Sequence, residues 1–170
     1  MNADWDVSSL LEGMVRDLRP RVDPEQTAMI GIFTGGVWVA QALHHALGLN
    51  TALGRLDISF YRDDFSQIGL HPQVRASDIP FDVNGRSIIL VDDVLYTGRT
   101  IRAALNEIFD YGRPASVLLA VLVDRGGHEL PVSADIAALR LNGATGGQIK
   151  LRGPDPLRLE WLAAAPGSVA

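Results

Sequence analysis

The stretch Ser87-Ile88-Ile89-Leu90-Val91-Asp92-Asp93-Val94-Leu95-Tyr96-Thr97-Gly98-Arg99-Thr100 constrains this chain most. An unbroken, β-branched apolar run suits a strand covered on both faces, which is the pattern of a parallel sheet. The run ends in two adjacent carboxylates, Asp92 and Asp93, which such a strand delivers to its C-terminal edge. Ile101-Arg102-Ala103-Ala104-Leu105-Asn106-Glu107-Ile108 then has helical periodicity, so Thr97-Gly98-Arg99-Thr100 opens the N-terminus of a helix. Unpaired amides and the helix dipole make such a turn a place for a phosphate. Acids that reach polyol hydroxyls beside a phosphate nest suit a sugar phosphate.

Around this motif the chain alternates strands and helices. Asp6-Val7-Ser8-Ser9-Leu10-Leu11-Glu12 is a helix start, with an apolar stripe through Leu18 that Pro20 stops. Ala28 to Phe33 is a short buried strand, Thr34-Gly35-Gly36 a sharp turn, and Val37 to Leu47 a helix closed by Gly48. Leu56 to Tyr61 alternates like a strand with one polar face. Residues 62–85 are polar, carry two prolines and lack periodicity, as a flexible lid over a site would. Ser116 to Val123 is another continuous apolar strand, followed by Asp124-Arg125-Gly126-Gly127. From about 139 to 163, short apolar stretches cut by Gly and Pro predict small antiparallel strands. The expected fold is α/β, a central, mostly parallel sheet flanked by helices, in a single domain over 1–170.

At 170 residues and 47% hydrophobic, the chain has ample core for one domain. A net charge of −5 argues against a generally basic nucleic-acid surface, although Arg19, Arg21, Arg140, Arg152 and Arg158 offer a local patch. The absence of cysteine excludes disulfides and thiolate metal sites. No run is long enough to span a bilayer, so a cytoplasmic location without membrane association is expected.

Ligands on open parallel sheets sit outside the carboxyl ends of the strands. Four such ends are suggestive: Thr34-Gly35-Gly36, Tyr61-Arg62-Asp63-Asp64, Asp92-Asp93 with its phosphate turn, and Asp124-Arg125-Gly126. Each has a plainer reading taken singly. Thr is a good N-cap, Gly is common in any strand-to-helix turn, and Arg62-Asp63-Asp64 reads as a solvated charge cluster. Trp38 and Trp161 read as core or contact residues, and His44, His45, His71 and His128 as surface residues. A Val-Asp-Asp strand end also occurs in receiver domains, but their Lys at a later strand end is missing, since Lys150 is this chain's one lysine.

Taken together, these residues resemble type I phosphoribosyltransferases, and most closely the PyrR family of pyrimidine-operon regulators with uracil phosphoribosyltransferase activity. The resemblance rests on Leu56 to Asp64, Ala76-Ser77-Asp78-Ile79-Pro80, Val91 to Thr100, Gly112-Arg113-Pro114 and Leu119 to Gly126, in the family's order. It implies the type I phosphoribosyltransferase fold with a hood at about 62–85. Uracil and phosphoribosyl pyrophosphate would be substrates, with Mg²⁺ required, and UMP or UTP would be ligands. Catalytic roles fall to Asp92, Asp93 and Arg62, the two acids meeting the ribose hydroxyls directly or through magnesium. Tyr96, Thr97, Gly98, Arg99 and Thr100 would hold the 5′-phosphate. Thr34, Gly35 and Gly36 would form the pyrophosphate loop, which in this superfamily often carries a cis non-proline peptide. Val123, Asp124 and Arg125 would lie near the uracil ring. A homodimer or higher homo-oligomer and a leader RNA partner are also implied, and no residue stands out as a strong general base.

Two departures from the family pattern carry expectations of their own. Gly35 stands where an Arg is usual and Phe33 where a basic or polar residue is common, which implies either slow turnover that Gly35→Arg would raise or compensation by Arg62. Gly127-His128-Glu129-Leu130-Pro131 replaces His-Arg-Glu-Leu-Pro, and beyond Ala134 the pattern diverges. The alternative reading is a weakly or non-catalytic regulator that senses UMP or UTP and binds RNA.

Overall fold

The computed structural model describes residues 4–59, 76–143 and 146–164. Arg62, Tyr61, His71 and most of the expected hood lie outside them. Helix α1 (Val7–Leu18) is capped by Asp6, whose carboxylate accepts from the Ser8 amide at 3.1 Å and the Ser9 hydroxyl at 2.6 Å. Hydrogen bonding from Ser9, first through its side chain, holds the Asp6 carboxyl below the usual carboxylate range. The chain leaves the α-helix at Leu18, just ahead of Pro20 as expected. It then passes through Pro20 as one 3-10 turn, Arg19–Arg21, because proline tolerates a first-turn position where no amide is needed.

Strand β1 (Thr27–Ile32), helix α2 (Gly35–Leu47), strand β2 (Gly54–Leu56), strand β3 (Ser87–Leu95), helix α3 (Arg99–Tyr111), strand β4 (Ser116–Asp124) and strand β5 (Ile136–Arg140) follow in chain order. They make a five-stranded sheet of order β2-β1-β3-β4-β5, and every neighbouring pair is parallel. Period-two alternation sends successive side chains to opposite faces. Met29, Ile89, Val91, Ala120 and Leu122 join the cluster under α1 and α2. Ile30, Ile32, Ile88, Leu90, Leu119 and Val121 join the cluster under α3, with Ile101, Ala104 and Ile108. Fully burying a residue such as Leu90 contributes about 1.5–3 kcal/mol, so these continuous apolar runs hold the sheet between its helices.

The structure differs from two sequence expectations. The strand expected over Leu56 to Tyr61 begins earlier and is short: β2 pairs with β1 from Gly54 to Leu56. The expected C-terminal strands at 139–163 include, at their start, the end of a parallel strand. Leu139 and Arg140 belong to β5, which pairs with β4. The antiparallel pair proper is strand β6 (Gly147–Arg152) with strand β7 (Arg158–Ala163), a separate two-stranded sheet. Ile149 and Leu151 of β6 are buried against the α1–α2 side of the core, with Trp38 and Trp161 packed there.

Residues 76–85 are tied to the body. Arg55 and Asp78 exchange backbone hydrogen bonds of 2.7 and 2.8 Å, the Ser77 hydroxyl accepts from the Asp57 amide, and it donates to Glu107 of α3 at 2.5 Å.

Candidate functional site

All the parallel strands end on one edge, so their C-terminal turns share one neighbourhood. There, a cleft of about 550 Å³ opens between three groups of residues. Thr34, Gly35 and Trp38 come from the β1–α2 turn. Asp92 to Leu95, followed by Tyr96, Thr97, Gly98, Thr100 and Ile101, come from β3 and the start of α3. Ile149, Lys150 and Leu151 of β6 cover it.

The two carboxylates sit inside β3, just before its last turn of chain, and differ in environment. Asp92 is buried at 3% exposure, and its Oδ1 accepts the Asp93 amide at 2.9 Å. Asp93 is half-buried beside Gly35. The β1–α2 turn contains a cis peptide between Phe33 and Thr34. It has two glycines because it lies against β3. A Cβ on Gly36 would stand 2.7 Å from the Val91 carbonyl oxygen and 3.0 Å from Asp92 Cα, and one on Gly35 would stand 2.3 Å from Asp93 Oδ2. The turn therefore holds no side chain that reaches the cleft except Thr34, and it contributes backbone.

At the start of α3, Gly98 takes φ +92°, which a side chain would resist, and aims the following amides along the helix axis. The Thr97 carbonyl is occupied by the Glu129 and Leu130 amides at 2.9 and 3.1 Å. Arg99 lies outside the cleft lining; its Nε and Nη2 donate to Glu129 at 3.1 and 3.0 Å. Of the five residues expected at the phosphate, Tyr96, Thr97, Gly98 and Thr100 line the cleft, while the Arg99 side chain braces the turn from outside.

The expected uracil residues are arranged in depth. Val123 is fully buried and Asp124 is 5% exposed. Asp124 accepts from the Gly126 amide at 3.0 Å, His128 Nε2 at 2.9 Å and Arg140 Nη1 at 2.8 Å. Arg125 comes forward. Its guanidinium lies 4.2 Å over the Tyr96 ring and donates to the Gly147 carbonyl of β6, while its buried Nε has no partner among the described residues. Tyr96, Arg125, Gly147 and Gln148 border a second cavity of about 520 Å³, and Tyr96 lines both cavities.

Three residues escape sequence reasoning. His128, read as a surface residue, and Arg140, read as part of a basic patch, both bind Asp124. Nothing local signals the Arg140 contact, which spans 16 residues of sequence, whereas His128 is only four residues beyond Asp124. Lys150 is among the residues lining the cleft, on a hairpin whose position the sequence does not reveal, and it is exposed between buried Ile149 and Leu151. Of the remaining patch arginines, Arg152 pairs with Glu160 at 2.8 Å and Arg19 donates to the Ala46 carbonyl at 3.2 Å. Among the described residues no helix is long and apolar enough to cross a membrane.

Comparison with known proteins places this geometry. Residues 6–143 match the phosphoribosyl transferase domain family. The chain is 55% identical over 164 residues to the "Bifunctional protein PyrR" of Pseudomonas entomophila, covering 95% of each. It is 55% identical over 157 residues to the protein of the same name from Nitrosococcus oceani, covering 89% of each. Among solved structures, a purine phosphoribosyltransferase from Pyrococcus horikoshii superposes with a TM-score of 0.62 at 24% identity, over 81% of this chain and 85% of that one. A hypoxanthine phosphoribosyltransferase from Staphylococcus aureus gives 0.64 at 14% identity, over 81% and 74%. These two likenesses speak for the fold.

Proposed function

Because the chain belongs to the phosphoribosyltransferase family, and within it to the PyrR proteins, we propose that it converts uracil and phosphoribosyl pyrophosphate into UMP and pyrophosphate. One observation carries the reading: a carboxylate pair and a helix-opening turn share one cleft at the C-terminal edge of a parallel sheet. That arrangement suits a phosphorylated ribose, hydroxyls toward Asp92 and Asp93 and 5′-phosphate in the turn from Tyr96 to Thr100.

The donor set suits magnesium. Two adjacent carboxylates are too few for an all-protein cage, and among the described residues no cluster of three or more acids, histidines or cysteines exists. Magnesium keeps waters and substrate oxygens in its shell and needs only one or two protein carboxylates. Asp92 and Asp93 would hold it, and when bound it would supply charge neutralisation to the leaving pyrophosphate.

The protein's own part is positioning and electrostatics. The uracil ring nitrogen bonds to the anomeric carbon as the bond to pyrophosphate breaks, and the nitrogen's proton leaves to solvent or to pyrophosphate. Positive charge develops on the ribose, and the Asp92–Asp93 carboxylates favour it. The amides and hydroxyls of the turn fix the phosphate, so the anomeric carbon stays in place. β6 covers the cleft and limits water, the competing nucleophile. The Tyr96–Arg125 cavity accommodates the base, with Val123 and Asp124 behind Arg125 as its support. Arg62 and the hood would complete the pyrophosphate side.

The relatives are called bifunctional, which supports a second role in regulating pyrimidine biosynthesis genes, with UMP or UTP in this cleft as the signal. The purely non-catalytic reading is the weaker one, since Arg140 and Arg152 of its basic patch are engaged within the chain. The deciding assay is UMP formation from uracil and phosphoribosyl pyrophosphate with magnesium. Turnover that disappears in the Asp92→Asn, Asp93→Asn double variant is expected. Wild-type protein that binds UMP yet forms none would overturn the enzymatic reading.

A further inference from the structure

We infer that the free edge of strand β6 reads the pyrimidine base, the backbone N–H and C=O of Ile149 meeting the imide edge of uracil. The inference rests on the reading of the cleft as the site of UMP formation. Its first support is the parity of the hairpin's hydrogen bonds. In an antiparallel pair, facing residues alternate between those that exchange both backbone bonds and those that exchange none. The Ala164 amide donates to the Gly146 carbonyl at 3.0 Å, so these two residues form a bonded pair. Along the register, Gln148 with Leu162, Lys150 with Glu160 and Arg152 with Arg158 are then the other bonded pairs. Gly147, Ile149 and Leu151 therefore turn their N–H and C=O groups away from β7. The Gly147 carbonyl agrees, because it receives the Arg125 guanidinium.

That outward edge faces the cleft. The Ile149 and Leu151 side chains enter the α1–α2 side of the core, at 6% and 7% exposure, and Lys150 between them belongs to the opposite, exposed face. All three residues nevertheless line the cleft. A cavity that touches consecutive residues of opposite facing runs along the edge of their strand, and the other edge is taken by β7. Among the described residues, the outward N–H and C=O groups of Ile149 and Leu151 have no hydrogen-bond partner. Backbone groups of residues this buried are nearly always paired, so their partners come from the cleft.

Chemistry selects the partner. Ile149 offers a donor and an acceptor side by side. Phosphate and pyrophosphate are acceptors throughout and are repelled by its carbonyl, while the ribose hydroxyls are assigned to Asp92 and Asp93. The imide edge of uracil is complementary, with a ring carbonyl to accept from the N–H and a ring N–H to donate to the C=O. Position agrees with this. Gly147 borders the Tyr96–Arg125 cavity assigned to the base, and Ile149 lies about 6–7 Å further along the strand. Cytosine is rejected by the same pair, because its amino group would face the N–H and its unprotonated ring nitrogen the C=O.

The test is amide hydrogen exchange of the isotope-labelled full chain, resolved residue by residue by NMR. Without ligand, the Ile149 and Leu151 amides are expected to exchange at least about tenfold faster than those of Gln148 and Lys150, which the hairpin ladder holds. Saturating UMP should slow the Ile149 amide at least about tenfold, and ribose 5-phosphate, which has no base, should leave it within about threefold. In calorimetry CMP should bind about ten- to a hundredfold more weakly than UMP, since it leaves the donor and the acceptor of Ile149 unpaired. UMP that binds without slowing Ile149 overturns the inference and leaves the nucleotide site standing. Equal slowing by ribose 5-phosphate, or CMP bound as tightly as UMP, overturns it as well. UMP that fails to bind at all removes the underlying substrate reading and the inference with it.

Discussion

Gly35 and Gly36 are adjacent and chemically identical, yet replacing each with Ala should have opposite consequences. A Cβ on Gly36 meets backbone, the Val91 oxygen at 2.7 Å and Asp92 Cα at 3.0 Å. Ordinary contact begins at about 3.5 Å, so α2 must retreat from β3 by roughly 0.8 Å. Overpacking of this kind costs about 1–3 kcal/mol, and Ala returns about 0.5–1 kcal/mol of helix propensity. The net loss for Gly36→Ala is about 1–2 kcal/mol, a fall in melting temperature of about 2–8 °C for a chain of this size. A Cβ on Gly35 meets a side chain, Asp93 Oδ2 at 2.3 Å and Cγ at 2.6 Å. Asp93 relieves the clash by rotating, at about 0.5–1.5 kcal/mol, which the propensity gain nearly cancels. Gly35→Ala should therefore unfold in urea within about 1 kcal/mol of wild type but bind phosphoribosyl pyrophosphate with magnesium at least about tenfold more weakly. Tryptophan fluorescence and calorimetry read the two quantities separately. Equal destabilisation of both variants, or normal binding by Gly35→Ala, would refute the reasoning.

The same clash reverses the sequence expectation for Gly35→Arg: any side chain there displaces Asp93, so turnover should fall in the UMP-forming assay, and a rise would show that the turn can open. Asp124→Ala leaves three donors without their acceptor, two of them charged or chargeable. Because half-exposed Arg140 rehydrates, a loss of about 2–4 kcal/mol in urea unfolding is expected, and a loss below about 1 kcal/mol would contradict the role given to Asp124. Asp6→Ala should destabilise the protein at neutral pH and not in strong acid. The folded pKa of Asp6 is lowered, so its contribution is present above its unfolded pKa and lost as pH falls through the folded one. A stability difference that persists unchanged in acid, measured by parallel unfolding curves, would rule that out.

The parts of the molecule legible in sequence are those with local causes. Ile88 to Val91 and Leu119 to Val123 announce buried parallel strands because every side chain there is buried. The turn from Thr97 to Thr100 is legible because glycine and threonine mark a helix start. β5 hides because Ile136-Ala137-Ala138-Leu139-Arg140 is short, edge-placed and carries two alanines among its five residues, with no pattern to separate it from the loops beside it. β2 is misjudged because its pairing ends at Leu56, although apolar alternation continues to buried Ile58. The site's second layer is invisible for another reason. Arg140 meets Asp124 only because β4 and β5 lie side by side, and β6 lines the cleft only because a hairpin folds back beside β3. Such encounters are properties of topology, and composition or periodicity carries no trace of them.

The β6–β7 hairpin divides the cleft by ancestry as well as by geometry. The floor, from Thr34 to Ile101, lies within the residues 6–143 shared with the wider family, while the roof, Ile149 to Leu151, lies past them. Among the described residues, the hairpin shares no strand pairing with the main sheet. The cleft is thus built from two stretches of chain, one inside the family match and one beyond it. Exchanging residues 147–163 for another hairpin would change what is admitted above the ribose while the floor stays as it is, an arrangement in which new specificities can arise without reinventing the chemistry.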